Sequence, residues 1–205
     1  MKKTKRINLS ECSDEEMVDY ITMSVAGDDV VMSDEVSTTV AQPVSANQTA
    51  LLKKRLSQYI SMLRAMQLWY HAAHHVTRGA SFFGDHADLY GKLYNELTDD
   101  FDKAVEKAIG LTNDEEMACP VCITQTASQI LGKYPSPVTL TALAQASTAL
   151  EMEKNHNELV SAIFDELKKA GALSLGLDDM LMATVNDHEG YIYFLQQRVK
   201  TELEN

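Results

Sequence analysis

Helical periodicity over most of the chain is the strongest constraint on its fold. From Thr49 onward, Leu52, Leu56, Tyr59, Leu63, Met66 and Tyr70 follow steps of three and four, and Ile60 and Trp69 widen the stripe. Such spacing gathers apolar side chains on one face of a helix but scatters them over both faces of a strand. The pattern predicts a helix from about Thr49 to Thr77, stopped at Gly79, which accepts left-handed backbone. Leu89, Leu93, Leu97, Phe101 and Val105 recur every fourth residue and predict a second helix from about His86 to Ile109, ended by Gly110. A third is predicted from about Thr139 to Ala170, on Leu143, Leu150, Leu159, Ile163, Phe164 and Leu167. A fourth runs from about Asp178 to Leu203, with Leu181, Val185, Ile192, Phe194 and Leu195 as its apolar positions.

The links between these helices set the architecture. The first and last are short, and "GALSLG" supplies the last one. Residues 111–136 form a long connection with "CPVC", a short helix expected around Thr124 to Leu131, and Pro135 and Pro137 at its close. Four long helices with a long crossover between the second and third make an all-α, ferritin-like four-helix bundle. The bundle is assigned to residues 47–205. Residues 1–46 differ: four bases precede nine acids, the remainder is polar without a sustained period, and they read as a largely disordered or extended N-terminal tail. Within the tail, residues 13–25 suit one short helix capped by Ser13, with Glu16 three positions on.

Composition excludes several classes. Apolar residues are 45% and charged residues 23%, as in soluble globular proteins. The apolar runs are too short for a membrane span, and the N-terminus lacks the apolar core of a signal peptide. Three cysteines without framework spacing argue against a disulfide scaffold, so a cytoplasmic location with no membrane partner is expected. A net charge of −12 repels nucleic acid on average and suits cation uptake.

Four of the six histidines crowd into "HAAHHVTRGASFFGDH": His71, His74, His75 and His86. Imidazole is a good ligand for iron, zinc, copper and nickel, and iron sites in bundles add carboxylates. Asp102 and Glu106, four apart on the second helix, project from one face beside the Leu97, Phe101, Val105 stripe. Glu153 and His156 have the Glu-x-x-His spacing of di-iron bundles, but Val185 stands three before His188 where a second copy needs a Glu. A di-iron site inside the bundle is therefore not expected.

The joint order of "HHVTRGASFFGDH", "LTDDFDKAVEKAIGL", "YPSP" and "HEGYIYFLQQR" resembles the miniferritins of the Dps family over about residues 50–203. His74, Gly79, Phe82 and His86 fall at that family's spacing, Asp102 and Glu106 fill its acidic pair with Lys107 in place of Arg, and Tyr193 stands in a Trp position. The resemblance implies a metal site between subunits, with His74 and His86 of one chain facing Asp102 and Glu106 of a neighbour. It implies a hollow homo-oligomer, a dodecamer, that oxidises Fe(II), preferably with hydrogen peroxide, and stores ferric iron. The alternative is a structural or interaction protein that keeps the bundle and its assembly but has a degraded ferroxidase site. The departures that motivate it are Tyr90, where the family usually has an acid, and one extra residue between His86 and Asp102, which a loop insertion or helical bulge must absorb. Asp85 and Asp88 are candidate substitutes for the missing acid, and His75 for an extra ligand.

Two features stand apart. Cys119 and Cys122 have metal or redox spacing and read first as reduced loop cysteines, then as an intersubunit contact, and last as a catalytic pair. "KKTKR" resembles the lysine-bearing extensions with which some Dps proteins hold DNA; the nine acids that share the tail make DNA binding the less favoured reading.

Overall fold

A computed structural model describes residues 45–203. The tail and its expected helix at 13–25 lie outside the described residues, except that Ser45 and Ala46 already open the first helix.

Helix α1 spans Ala46–Val76. Ser45 caps it: its hydroxyl accepts the Gln48 backbone N–H at 3.3 Å, and the Gln48 side chain accepts the Ser45 N–H at 2.8 Å. The Gln48 amide then donates to Ala170 and Gly171 carbonyls at 2.9 and 3.1 Å, which binds the start of α1 to the end of a distant helix. The expected stripe is the buried face of α1, from Leu52 through Leu56, Tyr59, Leu63 and Met66 to Tyr70. Each fully buried leucine there contributes about 2 kcal/mol relative to an exposed one.

After a turn at Gly79 (φ +94°), the chain enters a π-helical segment, Gly84–Gly91, that continues directly into α2, Lys92–Thr112. Gly110 does not end α2. The stop is Asn113, left-handed at φ 49°, whose N–H donates to the Ile109 carbonyl; asparagine serves the same left-handed position as glycine. In the crossover, α3 spans Pro120–Leu131, one turn more than expected, because Cys119 caps it and Pro120 fits the first helical position. The Trp69 indole N–H reaches the Pro135 carbonyl at 3.0 Å and pins the crossover to α1.

Helix α4 covers Ala142–Lys169 and α5 covers Leu175–Leu203. Gly171 (φ +64°) and Ala172 close α4 through bonds to the carbonyls of Lys168 and Leu167. Helix α1 packs on α2, α3 and α4, and α4 packs on α5. This is the expected all-α bundle with its crossover, and the described residues contain no strand.

The core faces of α4 and α5 differ from the expected stripes. On α4, Met152, Glu153, His156, Val160, Ile163 and Leu167 are buried, while Leu143, Leu150 and Leu159 are only half-buried. On α5, Leu177, Leu181, Thr184, His188, Tyr191 and Leu195 face inward, and Phe194 is exposed. Ile163, Leu167, Leu181 and Leu195 of the expected stripes are buried, but polar side chains occupy core positions on both helices, so counting apolar residues finds only part of each buried face.

Candidate metal centre

The last turn of α1 presents His74, and the π-helical segment presents His86. Their rings stack with centroids 3.8 Å apart and planes 16° from parallel. Each Nδ1 lies 2.7 Å from the other residue's backbone carbonyl oxygen. A carbonyl only accepts, so each Nδ1 carries the hydrogen and donates it. The second nitrogen of each neutral ring, Nε2, then holds its lone pair free for an electrophile. Phe82 covers the other face of His86, at 5.0 Å and 20°. Both rings are thus fixed in tautomer and orientation by backbone, with no side chain consumed.

The π-helical segment makes this clasp. A π-turn holds one residue more than an α-turn, and a helical bulge of the kind expected between His86 and Asp102 lies at this point. Gly91 is part of the same arrangement: a Cβ there would lie 2.7 Å from the His86 carbonyl oxygen and 3.1 Å from the His74 Nδ1. Sequence reasoning did not single out Gly91; its signal was a glycine five residues after a histidine, the period of the π-helix.

The other sequence candidates are disposed as follows. His71 and His75 are exposed with their Nε2 atoms 3.1 Å apart, and the His75 ring meets the His74 ring edge-on at 5.1 Å. Asp102 and Glu106 are exposed on α2. Glu106 lines a cavity of about 620 Å³ with Asp100, Lys103, Lys107 and Asp187. Within one chain, no three His, Cys, Asp or Glu side chains among the described residues converge as a metal-holding group. Asp85 is no substitute ligand: it is 3% exposed and bonded to Ser81 Oγ at 2.6 Å and to the Arg198 guanidinium at 3.0 to 3.3 Å, which ties the π-helical segment to α5. Asp88 is exposed. Tyr90 is fully buried, stacked on Tyr70 at 6.1 Å, and burial pushes its phenol far above the usual range.

A second polar group lies where an apolar core was expected. Glu153 accepts from the Tyr70 hydroxyl and from His188 Nδ1, linking α4 to α1 and α5. The His156 ring lies 4.1 Å from His188; its Nδ1 meets Asn157 Oδ1 at 3.1 Å, and its buried Nε2 has no hydrogen-bond partner. Burial and the neighbouring His188 push His156 well below the usual imidazole range, against the Asn157 bond. Burial also lowers His188, but the charge and hydrogen bond of Glu153, with Asp100 and Asp187 beyond, outweigh it and hold the ring above that range. Glu153 is spent on Tyr70 and His188, so the group reads as an internal ion pair. Its sequence signal was the Glu153, His156 spacing, with a third member on another helix.

No protein-family model matches the chain, and no curated protein does. Among solved structures, the chain is similar to Mycobacterium smegmatis Dps in its tetragonal form, with a TM-score of 0.64 at 15% identity, over 77% of this chain and 92% of that one. The identity is low and the likeness is one of fold: the chain has the ferritin-like helical bundle of a Dps protein.

Proposed function

We propose that this protein is a Dps-like iron-storage protein in which His74 and His86 are the nitrogen half of a ferroxidase site. The carboxylate half is Asp102 and Glu106 of a neighbouring copy in a hollow homo-oligomer, a dodecamer. The observation that carries the reading is the reciprocal clasp of His74 and His86, which leaves both Nε2 atoms available. Backbone-oriented imidazoles are the usual preparation of histidine for a metal. The exposure of Asp102 and Glu106 on α2 suits ligands that complete their site in another chain. Fe(II) is the substrate. Two Fe(II) ions each give one electron to hydrogen peroxide, the O–O bond breaks, and the oxygens leave as water or as hydroxide in the ferric product. Imidazole and carboxylate together suit iron in both oxidation states. The setting is the cytoplasm, and DNA is not among the proposed partners.

Tyr90 and Asp85 favour the second reading, a bundle kept for assembly or interaction with an impaired site. The acid that the family has at Tyr90 is absent from the clasp, and Asp85 is committed to Arg198. One experiment separates the two. Fe(II) is added anaerobically, then peroxide, and ferric absorbance is followed for the wild type and for His74→Ala with Asp102→Ala. Fast oxidation in the wild type and its loss in the variant support the ferroxidase. Equal, buffer-like rates in both, with a large assembly by light scattering, support the second reading.

A further inference from the structure

The cysteine pair at the head of α3 is not used by the proposed iron chemistry. Cys119 is the N-cap of this helix, and its sulfur accepts the Cys122 backbone N–H at 3.5 Å. The two cysteines stand three apart on the first turn of α3, with the Cys119 sulfur on the Cys122 backbone N–H and Pro120 fixing the backbone between them. Both are free thiols; Cys119 is half-buried and Cys122 exposed. No third ligand gathers with them among the described residues, so a metal knuckle is not formed.

The two thiols are unequal. Cys119 is held below the usual thiol range by the Cys122 thiol and by the N–H groups of Cys122 and Val121, against burial and the Glu116 charge. Cys122 is pushed up, first by donating its proton to Cys119 and then by the charge of that sulfur. The positive end of a helix favours a thiolate in the same direction.

We propose that Cys119 and Cys122 form a reversible dithiol–disulfide couple that exchanges with small-molecule disulfides, Cys119 being the attacking sulfur. The Cys119 thiolate attacks one sulfur of the disulfide; a Cys119 mixed disulfide forms and one small thiolate leaves. Cys122 loses its proton and attacks the Cys119 sulfur; the intramolecular disulfide forms and the second small thiolate leaves. The two cysteines give up two electrons and two protons, and one disulfide becomes two thiols. Sequence reasoning ranked this role last because a thioredoxin-like pair is expected in a βαβ context, which this chain lacks.

The test uses the full chain with Cys12→Ser, equilibrated without oxygen in graded mixtures of reduced and oxidised glutathione, then alkylated and weighed. Both thiols should be lost together, within one chain, and regained when the ratio is reversed. In Cys122→Ser the mixed disulfide with glutathione should be trapped at Cys119, and iodoacetamide at neutral pH should modify Cys119 several-fold faster than Cys122. Two thiols that stay alkylatable at every ratio, a disulfide formed only between chains, or faster alkylation of Cys122 would each overturn the proposal. None of these readouts involves iron, so failure of the couple and failure of the ferroxidase are separate outcomes.

Discussion

Two histidine pairs in this bundle are built on similar geometry and set to opposite tasks. His74 and His86 stack at 3.8 Å at one end of α1; His156 and His188 lie at 4.1 Å inside the core. In the first pair each Nδ1 donates to backbone, which has no charge to give, and both rings stay half-exposed. In the second, His188 faces a buried carboxylate and His156 an amide, and neither ring reaches solvent to any extent. Backbone orientation leaves an imidazole ready to bind something from outside. Orientation by a buried carboxylate consumes it in holding three helices together. The difference shows what the Glu-x-x-His spacing on α4 does in this fold: Glu153 is committed to Tyr70 and His188.

The contrast breaks most visibly at Glu153. Glu153→Ala leaves His188 and the Tyr70 hydroxyl without their acceptor in a dry core. Removing one partner of a buried ion pair costs about 3–5 kcal/mol. Chemical denaturation should show a loss of that size, while the Fe(II) oxidation rate of whatever remains folded stays near wild type. Stability unchanged on removing Glu153 would mean that the pair is not structural.

Gly91→Ala should cost less and act on the other pair. Its methyl would meet the His86 carbonyl at 2.7 Å, a backbone atom that cannot swing away. Overpacking of this kind costs about 1–3 kcal/mol. The clasp should loosen with it, so iron oxidation should fall even though no proposed ligand has changed. An unchanged rate would show that the π-helical segment does not set the histidine geometry.

These positions show what the sequence could and could not reveal. The stripe of α1 is apolar at nearly every core position, and its reading survived intact. The stripes of α4 and α5 were only partly right, because Glu153, His156, Thr184 and His188 hold core positions that an apolar count reads as surface. The choice of His74 and His86 came from the resemblance to the Dps pattern, and the structure stacks that pair. The Arg198 fork on Asp85 joins segments far apart in sequence, and local pattern carries no trace of it; the reciprocal bonds to backbone and the role of Gly91 join nearby residues, but they follow from the π-helical backbone that the sequence reading did not place. A bulge after His86 was an expectation of the resemblance; the fold has a π-helical segment there, Gly84–Gly91.

The buried pair should also give stability a peak in pH. His156 is held below its unfolded range, so on acidification through about pH 6.5 the unfolded chain gains a proton that the folded one refuses, and stability falls. His188 is held above that range, so its contribution is complete below about pH 6.5 and is lost as pH rises through its folded value. Each limb has a slope of up to about 1.4 kcal/mol per pH unit. The groups that act on the pair are Glu153 and Asn157 from α4, Asp100 from α2, Asp187 from α5, and Tyr59 from α1. His156→Asn should flatten the acid limb and His188→Asn the alkaline one, measured as denaturation midpoints across pH 5 to 8.5. A wild-type profile with no maximum between the limbs would contradict the assigned protonation states.

The smallest effect on stability, and the most telling, belongs to His74→Ala and His86→Ala. Either removes one side chain of the clasp and two neutral hydrogen bonds lose a partner or a brace. The rings are half-exposed, so water can replace what is lost. A net hydrogen bond of this type is worth about 1 kcal/mol, and the replacement should keep the loss at or below that value. The pH profile of stability should keep both limbs, since neither residue touches the buried pair. Iron oxidation, by contrast, should drop by at least the ten- to hundredfold that loss of a merely orienting group costs at a metal site. A variant that is stable, retains its peaked pH profile and cannot oxidise iron separates the two histidine pairs by function. A variant that loses a large part of its stability instead would move His74 and His86 into the same structural class as Glu153, and the iron reading would lose its nitrogen ligands.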